Sequence, residues 1–303
     1  MMAKKEKSTW VLIIAMLLFL FLAASFISGI LSLIFSADQA AQGNVAFIPI
    51  TGVILTEQGN DFFGGSISDS SSIVKDIQDA AKDDSIKAIV LEINSPGGAP
   101  VASDEIARAV KESNKTTVAW VREIGTSGAY WVASASDHII ANRMSLTGSI
   151  GVIGSYLDFS GFLTDWNITY ERLVAGKYKD VGTPLRQLTD EERQMLQRKL
   201  DLLHQEFKNA VQQNRKLSNS EIAAVSEGEF YLGSEAKDLN LVDELGGMPE
   251  VQRYLEKSLN ITVEPAWYKH EPTLLELLST ILNERSFYFG LGYGQGQNLG
   301  MMR

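Results

Sequence analysis

Thr116-Thr117-Val118-Ala119-Trp120-Val121, followed after three residues by Gly125-Thr126-Ser127-Gly128-Ala129-Tyr130-Trp131-Val132-Ala133-Ser134, decides how this chain is read. The first block is β-branched and apolar, as a buried strand is. The second opens on glycines and runs into an Ala-rich apolar stretch, as a helix does. Ser127 therefore stands where a strand turns into a helix, between glycines that let the backbone bend sharply and leave room for a substrate. A helix starting there aims unpaired N–H groups and the positive end of its dipole at whatever the serine attacks. A serine so placed can be a nucleophile, although the same pattern also serves as ordinary N-cap and turn chemistry.

Upstream, Ile86-Lys87-Ala88-Ile89-Val90-Leu91-Glu92-Ile93 reads as another strand. It ends at Asn94-Ser95-Pro96-Gly97-Gly98, whose paired glycines allow close approach of backbone to ligand. A helix from about Val101 to Glu112 follows. Strand, glycine-rich turn and helix thus occur twice between residues 86 and 140, which implies an α/β protein with parallel strands joined by right-handed crossovers. Val45 to Ile50 supplies an earlier strand, residues 57–69 around Phe62 and Phe63 a loop, and Ser70 to Lys82 a helix. Downstream, His138 to Ala141 and Leu146 to Gly154 read as short strands. Thr189-Asp190-Glu191-Glu192 has the form of a capping box. It opens a long helix to about Arg215 whose inner stripe is expected to be Met195, Leu196, Leu200, Leu203 and Phe207. A further helix runs from Pro249 to about Leu259, and residues 272–285 are amphipathic.

The 303 residues, 45% of them apolar, suffice for one large domain or two small ones. A formal charge of −10 argues against a nucleic-acid partner, since phosphate binding needs a surplus of Lys and Arg. Without cysteine there is no disulfide, thiol nucleophile or thiolate metal site. His138, His204 and His270 are far apart in sequence and give no metal signature; no cofactor is expected.

Residues 10–35 contain no charged side chain, and roughly 20 such residues cross a bilayer. Lys4, Lys5 and Lys7 precede them and Asp38 follows, so the positive-inside bias keeps the amino terminus in the cytoplasm and puts everything after about residue 36 outside. The rival reading, a cleaved signal peptide, usually has an apolar region of only about 7–15 residues. The expected organisation is a cytoplasmic start (1–9), a transmembrane helix (10–35), a tether (36–43), a catalytic domain (44–260) and an extension (261–303).

A serine nucleophile needs a base. His138 lies eleven residues beyond Ser127, about three turns down the same helix and away from its tip. A lysine can serve if neutral, which requires a fall of about 3 units from a reference pKa near 10.4, at a cost of about 4 kcal/mol. Lys177 and Lys179, in a Gly-rich setting, are the candidates; both also read as ordinary solvated loop lysines.

Asn94-Ser95-Pro96-Gly97-Gly98, Ser127-Gly128-Ala129-Tyr130, Thr147-Gly148-Ser149-Ile150-Gly151-Val152, Gly176-Lys177-Tyr178-Lys179-Asp180 and Leu241-Val242-Asp243-Glu244-Leu245-Gly246, in this order, resemble the signal peptide peptidase A family, also called protease IV. The resemblance covers roughly residues 44–260. It implies a Clp/crotonase-like spiral of ββα units, assembly into a homo-oligomeric ring, and a membrane-anchored endopeptidase that degrades signal-peptide remnants and other apolar peptides at the outer face of the bilayer. It makes Ser127 the nucleophile, Lys179 the base with Lys177 as the alternative, Ser149 the hydroxyl that holds the lysine amine, and the N–H groups of Gly98 and Gly128 the oxyanion hole. Gly-Thr before Ser127 and Ala99-Pro100 after the glycine pair depart from the family pattern without touching those atoms. Other readings on the same framework are a protease that clips one particular membrane protein and a silent crotonase-like scaffold.

Overall fold

The computed structural model of the chain describes residues 15–28, 43–57 and 67–268. Residues 15–28 form a helix, α1, whose large side chains, from Met16 to Ile27, are exposed. It covers only the middle of the apolar stretch expected to cross a membrane. The rest of that stretch, like the amphipathic segment at 272–285 and Phe62 and Phe63, lies outside the described residues. Among the described residues no helix is long and apolar enough to cross a membrane.

Gly43 to Tyr268 form one compact body. It begins with β1 (Val45–Leu55), β2 (Ile67–Asp69), α2 (Ser70–Lys82), β3 (Ala88–Gly98), α3 (Pro100–Glu112), β4 (Thr116–Thr126), α4 (Gly128–Ser134), β5 (His138–Ala141) and β6 (Leu146–Gly148). There follow α5 (Ser160–Asp165), α6 (Asp190–Arg215), α7 (Asn219–Val225), β7 (Phe230–Leu232), α8 (Gly233–Asp238), β8 (Glu244–Leu245), α9 (Met248–Leu259) and β9 (Pro265–Trp267). The main path of the sheet runs β2-β1-β3-β4-β5-β8, with β6 beside β4 and β9 beside β1. Every pair is parallel except β6 with β7. The fold is thus mixed α/β around a parallel sheet, as a Clp/crotonase-like chain requires.

The central strands are apolar at successive positions because both faces are covered. Val45, Phe47, Ala88, Val90, Val118, Trp120 and Ile140 pack with Val251 and Leu255 of α9. The alternate residues Ala46, Ile48, Ile89, Leu91 and Ile93 are equally buried and point the other way, as period-two alternation dictates. α4 is buried along its whole length, and its Tyr130 hydroxyl donates to Leu241 O at 2.8 Å.

Several local expectations change. α4 ends at Ser134, so His138 does not continue the Ser127 helix; it opens β5 and stacks on Tyr254. β6 stops at Gly148 rather than 154, because Ser149 takes a left-handed conformation and the chain leaves the sheet. Ser68 and its neighbours, inside the expected loop, pair with β1 as β2. The capping box at Thr189 forms, but of the apolar stripe on α6 only Phe207 is buried; Leu203 is exposed and Met195, Leu196 and Leu200 are half-covered. The periodicity was that of a helix with an apolar face, yet in the first half of α6 that face is only partly covered.

Candidate active site

Ser127 sits between β4 and α4 with φ 53° and ψ −125°, outside the regions that side chains ordinarily occupy. The turn is held from both sides. Its N–H donates to Gly148 O at 2.8 Å, and its carbonyl accepts from Trp131 N at 3.0 Å. The hydroxyl has no hydrogen-bond partner among the described residues, and the residue is half-buried. A backbone strained in this way, with its side chain left free, is what a nucleophile elbow provides.

The end of β3 meets this elbow. Gly97 has φ +100°, and a Cβ there would lie 2.7 Å from Gly128 N and 2.9 Å from Ser127 Cβ. On Gly98 a Cβ would come within 2.0 Å of Ile54 O; on Gly128 it would come within 2.3 Å of Ser103 Oγ and 3.2 Å of Gly98 N. Glycine is therefore the residue that lets the two amides approach each other beside Ser127. Ser95, fully buried, braces the turn by accepting from Gly97 N at 3.1 Å, and Thr126 Oγ1 donates to Pro96 O at 3.2 Å.

Ser127, Gly98 and Gly128 open on a cleft of about 110 Å³ whose other walls are Pro100, Trp131, Gly151, Val152, Ile153 and Phe207. Trp131 and Phe207 stack in parallel, 4.9 Å between ring centres, as its apolar floor. Phe207 was legible in the sequence only as a core residue of α6; nothing in a helical period says which cleft a residue will line.

The structure does not bring the lysines to this cleft. After β6 the chain forms an arm, residues 149–189, that climbs α6 toward its N-terminus. Ile150 O lies 3.3 Å from His204 Nε2, a Cβ on Gly154 would touch Leu200 at 3.3 Å, and Tyr178 hydrogen-bonds Glu191. Lys179 is on an exposed turn whose N–H donates to Gly176 O at 3.2 Å. From Glu191, beside that turn, to Phe207 in the cleft is roughly 24 Å of helix at about 1.5 Å per residue. Lys177 Nζ lies 2.5 Å from Glu191 Oε2, and this contact raises its pKa, so Lys177 keeps its proton. Ser149, whose N–H donates to Glu229 O at 2.7 Å, turns its hydroxyl to Gly228 O at 3.2 Å and touches neither Lys179 nor Ser127. Among the described residues no cluster of His, Asp and Glu could hold a metal ion.

The arm is rich in uncovered apolar side chains. Ile153, Leu157, Phe162, Trp166, Ile168 and Leu173 are all exposed, Leu173 to 95%. A stretch of this size is far more than the scattered apolar residues of an ordinary monomer surface.

Comparison with known proteins gives a consistent picture. The model of peptidase family S49 matches residues 109–262. A protein of Methanocaldococcus jannaschii, named as an unproven protease, is 34% identical over 249 residues, which are 80% of this chain and 76% of that one. Protease 4 of Salmonella typhi is 28% identical over 243 residues, and the chloroplast serine protease SPPA of Arabidopsis thaliana 26% over 236. These cover 78% and 77% of this chain but only 38% and 34% of the two longer proteins.

Proposed function

This chain belongs to peptidase family S49, the family of signal peptide peptidase A and protease 4, and from that premise we propose that it is a Ser–Lys endopeptidase acting on apolar peptides at a membrane surface. The observation that carries the proposal is the free hydroxyl of Ser127 on a strained elbow, facing an apolar cleft beside the amides of Gly98 and Gly128. In this reading Ser127 Oγ attacks the peptide carbonyl while the neutral amine of Lys179 takes its proton. Gly98 and Gly128 donate to the oxyanion, each such donor being worth about 3 kcal/mol. Lys179 then returns the proton to the leaving amine, and water releases the acyl group from Ser127 by the reverse steps.

The distance from Lys179 to the cleft of its own chain gives the proposal its second part: the base is supplied by a neighbouring copy. The uncovered apolar arm supports this, because a neighbour that packs on it covers the Lys179 turn and carries it to another chain's Ser127. Such cover also removes the solvation that keeps an amine protonated. Ser149 is then the hydroxyl on the receiving side. The cleft, floored by Trp131 and Phe207, favours a small or medium apolar side chain next to the scissile bond, as in signal-peptide remnants. Anchorage by residues 10–35, with the body outside the cell, rests on the uncharged run, the lysines before it and the exposed apolar surface of α1.

The test uses the full-length protein in detergent with fluorogenic apolar peptides. Ser127→Ala and Lys179→Ala each lower kcat by at least about 10³-fold, while Lys177→Ala retains most of the activity. Coexpression of the Ser127→Ala and Lys179→Ala chains restores cleavage, since one contributes the base and the other the nucleophile. Full activity of Lys179→Ala would refute the dyad, and inactive mixed assemblies would refute the shared site.

A further inference from the structure

The turn that bears Lys179 is fixed to its own chain by a network of charged side chains that no catalytic step uses. Asp180, the next residue, is gripped by two arginines. Arg172 donates from Nε and Nη2 to the two carboxylate oxygens of Asp180, both at 2.7 Å. Arg186 donates to the same oxygens at 2.9 and 3.0 Å. Arg172 Nη2 also reaches Lys177 O at 2.9 Å, so it holds the turn by its backbone as well. Arg186 in turn donates to Glu192 at 2.6 and 2.8 Å. Glu192 closes the capping box of α6 by accepting from Thr189 N at 2.9 Å. The chain of contacts runs from Arg172 through Asp180 and Arg186 to Glu192, and it joins a non-repetitive arm to the first turn of a long helix.

The network is well covered for a surface feature. The side chains of Asp180, Arg186 and Glu192 are 11%, 19% and 5% exposed. Planar guanidinium forks paired two-to-two with carboxylates fix direction as well as distance, which a lysine in the same place does not. Lys179 lies between Tyr178, bound to Glu191, and Asp180, so its Cα is held on both sides while its own side chain, exposed and without a hydrogen bond or ion pair among the described residues, is free to project outward.

We propose that Asp180, Arg186 and Glu192, with Arg172, are positioning residues for the base, a clamp that presents Lys179 from the tip of α6 at a fixed height and angle. The proposal rests on the reading of Lys179 as the base. The clamp keeps its charges at neutral and alkaline pH. Hydrogen bonds first from Arg172 and then from Arg186 hold the Asp180 carboxyl far below the usual carboxylate range, and Arg186 brings Glu192 down to about 2. Neither carboxylate of the clamp therefore changes charge between neutral and alkaline pH.

The experiment places Arg186→Gln in the coexpressed full-length pair. On the Ser127→Ala chain it sits with the working lysine; on the Lys179→Ala chain it sits with the working serine. In the first arrangement kcat falls about 30-fold with KM unchanged, and in the second the loss is at least tenfold smaller, with assembly followed by light scattering in both. Arg186→Lys, which offers one ammonium in place of the fork, fails to rescue the first arrangement. Equal losses in both arrangements, or none in either, would overturn the clamp. If the unsubstituted pair is itself inactive, the shared site is wrong, and Arg186→Gln in the otherwise wild-type chain decides: a fall in kcat at constant KM supports the clamp, an unchanged kcat refutes it. Lys179→Ala at full activity would remove the reading on which the proposal rests.

Discussion

Gly98 shows how much of the site depends on atoms that are missing. The carbonyl of Ile54 occupies the place a Cβ would take, 2.0 Å from its ideal position, and that atom is backbone in a central strand. Gly98→Ala therefore forces β1 and β3 apart and costs about 3 kcal/mol or more, read as a lower thermal midpoint together with lost activity. Gly128→Ala meets the more yielding Ser103 hydroxyl, and Ser103→Ala is expected to restore part of its stability. At this scale the sequence was informative wherever glycine was required: the pair before Ala99 and the glycines on either side of Ser127 mark the elbow by themselves. The lysines were different. Nothing local separates Lys177 from Lys179, and it took the resemblance to choose between them; the structure adds that Glu191 keeps Lys177 protonated.

Among the elements, α6 performs two tasks at its two ends. Its C-terminal half lines the cleft with Phe207 and ties down β8, where Arg215 donates from Nη1 and Nη2 to the carboxylate of Asp243 at 2.9 and 2.7 Å. Its N-terminal end carries the Lys179 turn. Phe207→Ala removes half of the stacked floor and shifts the preference of the cleft toward larger apolar side chains, at a cost of about 3 kcal/mol in stability. The Arg215–Asp243 pair predicts a pH effect. Burial raises the Asp243 pKa, but Arg215 overrides this and leaves it below the usual value of 3.8. A carboxyl whose folded pKa is depressed adds stability above the unfolded value and loses it as the pH falls toward the folded one. Arg215→Gln is thus expected to destabilise the protein by about 3 kcal/mol at neutral pH and to flatten the acid limb of its stability curve below about pH 4, measured by denaturant titration. The capping box and the extent of α6 were readable from Thr189 and the apolar period. The arm was not: Arg172, Asp180, Arg186 and Glu192 share no periodic element, and pairing across such a loop leaves no trace in spacing.

For the whole molecule, the parallel sheet followed from the strand–turn–helix repeats at 86–140, because continuous apolar runs and β-crossover lengths specify it. Assembly does not follow from any such pattern. The support for the proposed assembly lies only in three dimensions, where Trp166, Ile168 and Leu173 are uncovered on the arm. Leu173→Glu is accordingly expected to leave the stability of the single chain within about 0.5 kcal/mol of the original, yet to break the assembly seen by light scattering and to abolish cleavage with it.

The body also begins and ends in one place. Asn44 N–H donates to Glu264 O at 2.8 Å, Glu264 N–H returns a bond to Asn44 Oδ1 at 2.9 Å, and β9 lies parallel to the first residues of β1. A fold whose entrance and exit are neighbours can be spliced into a loop of a host protein, copied twice within one polypeptide, or cut and rejoined at a new point, without any strand having to move.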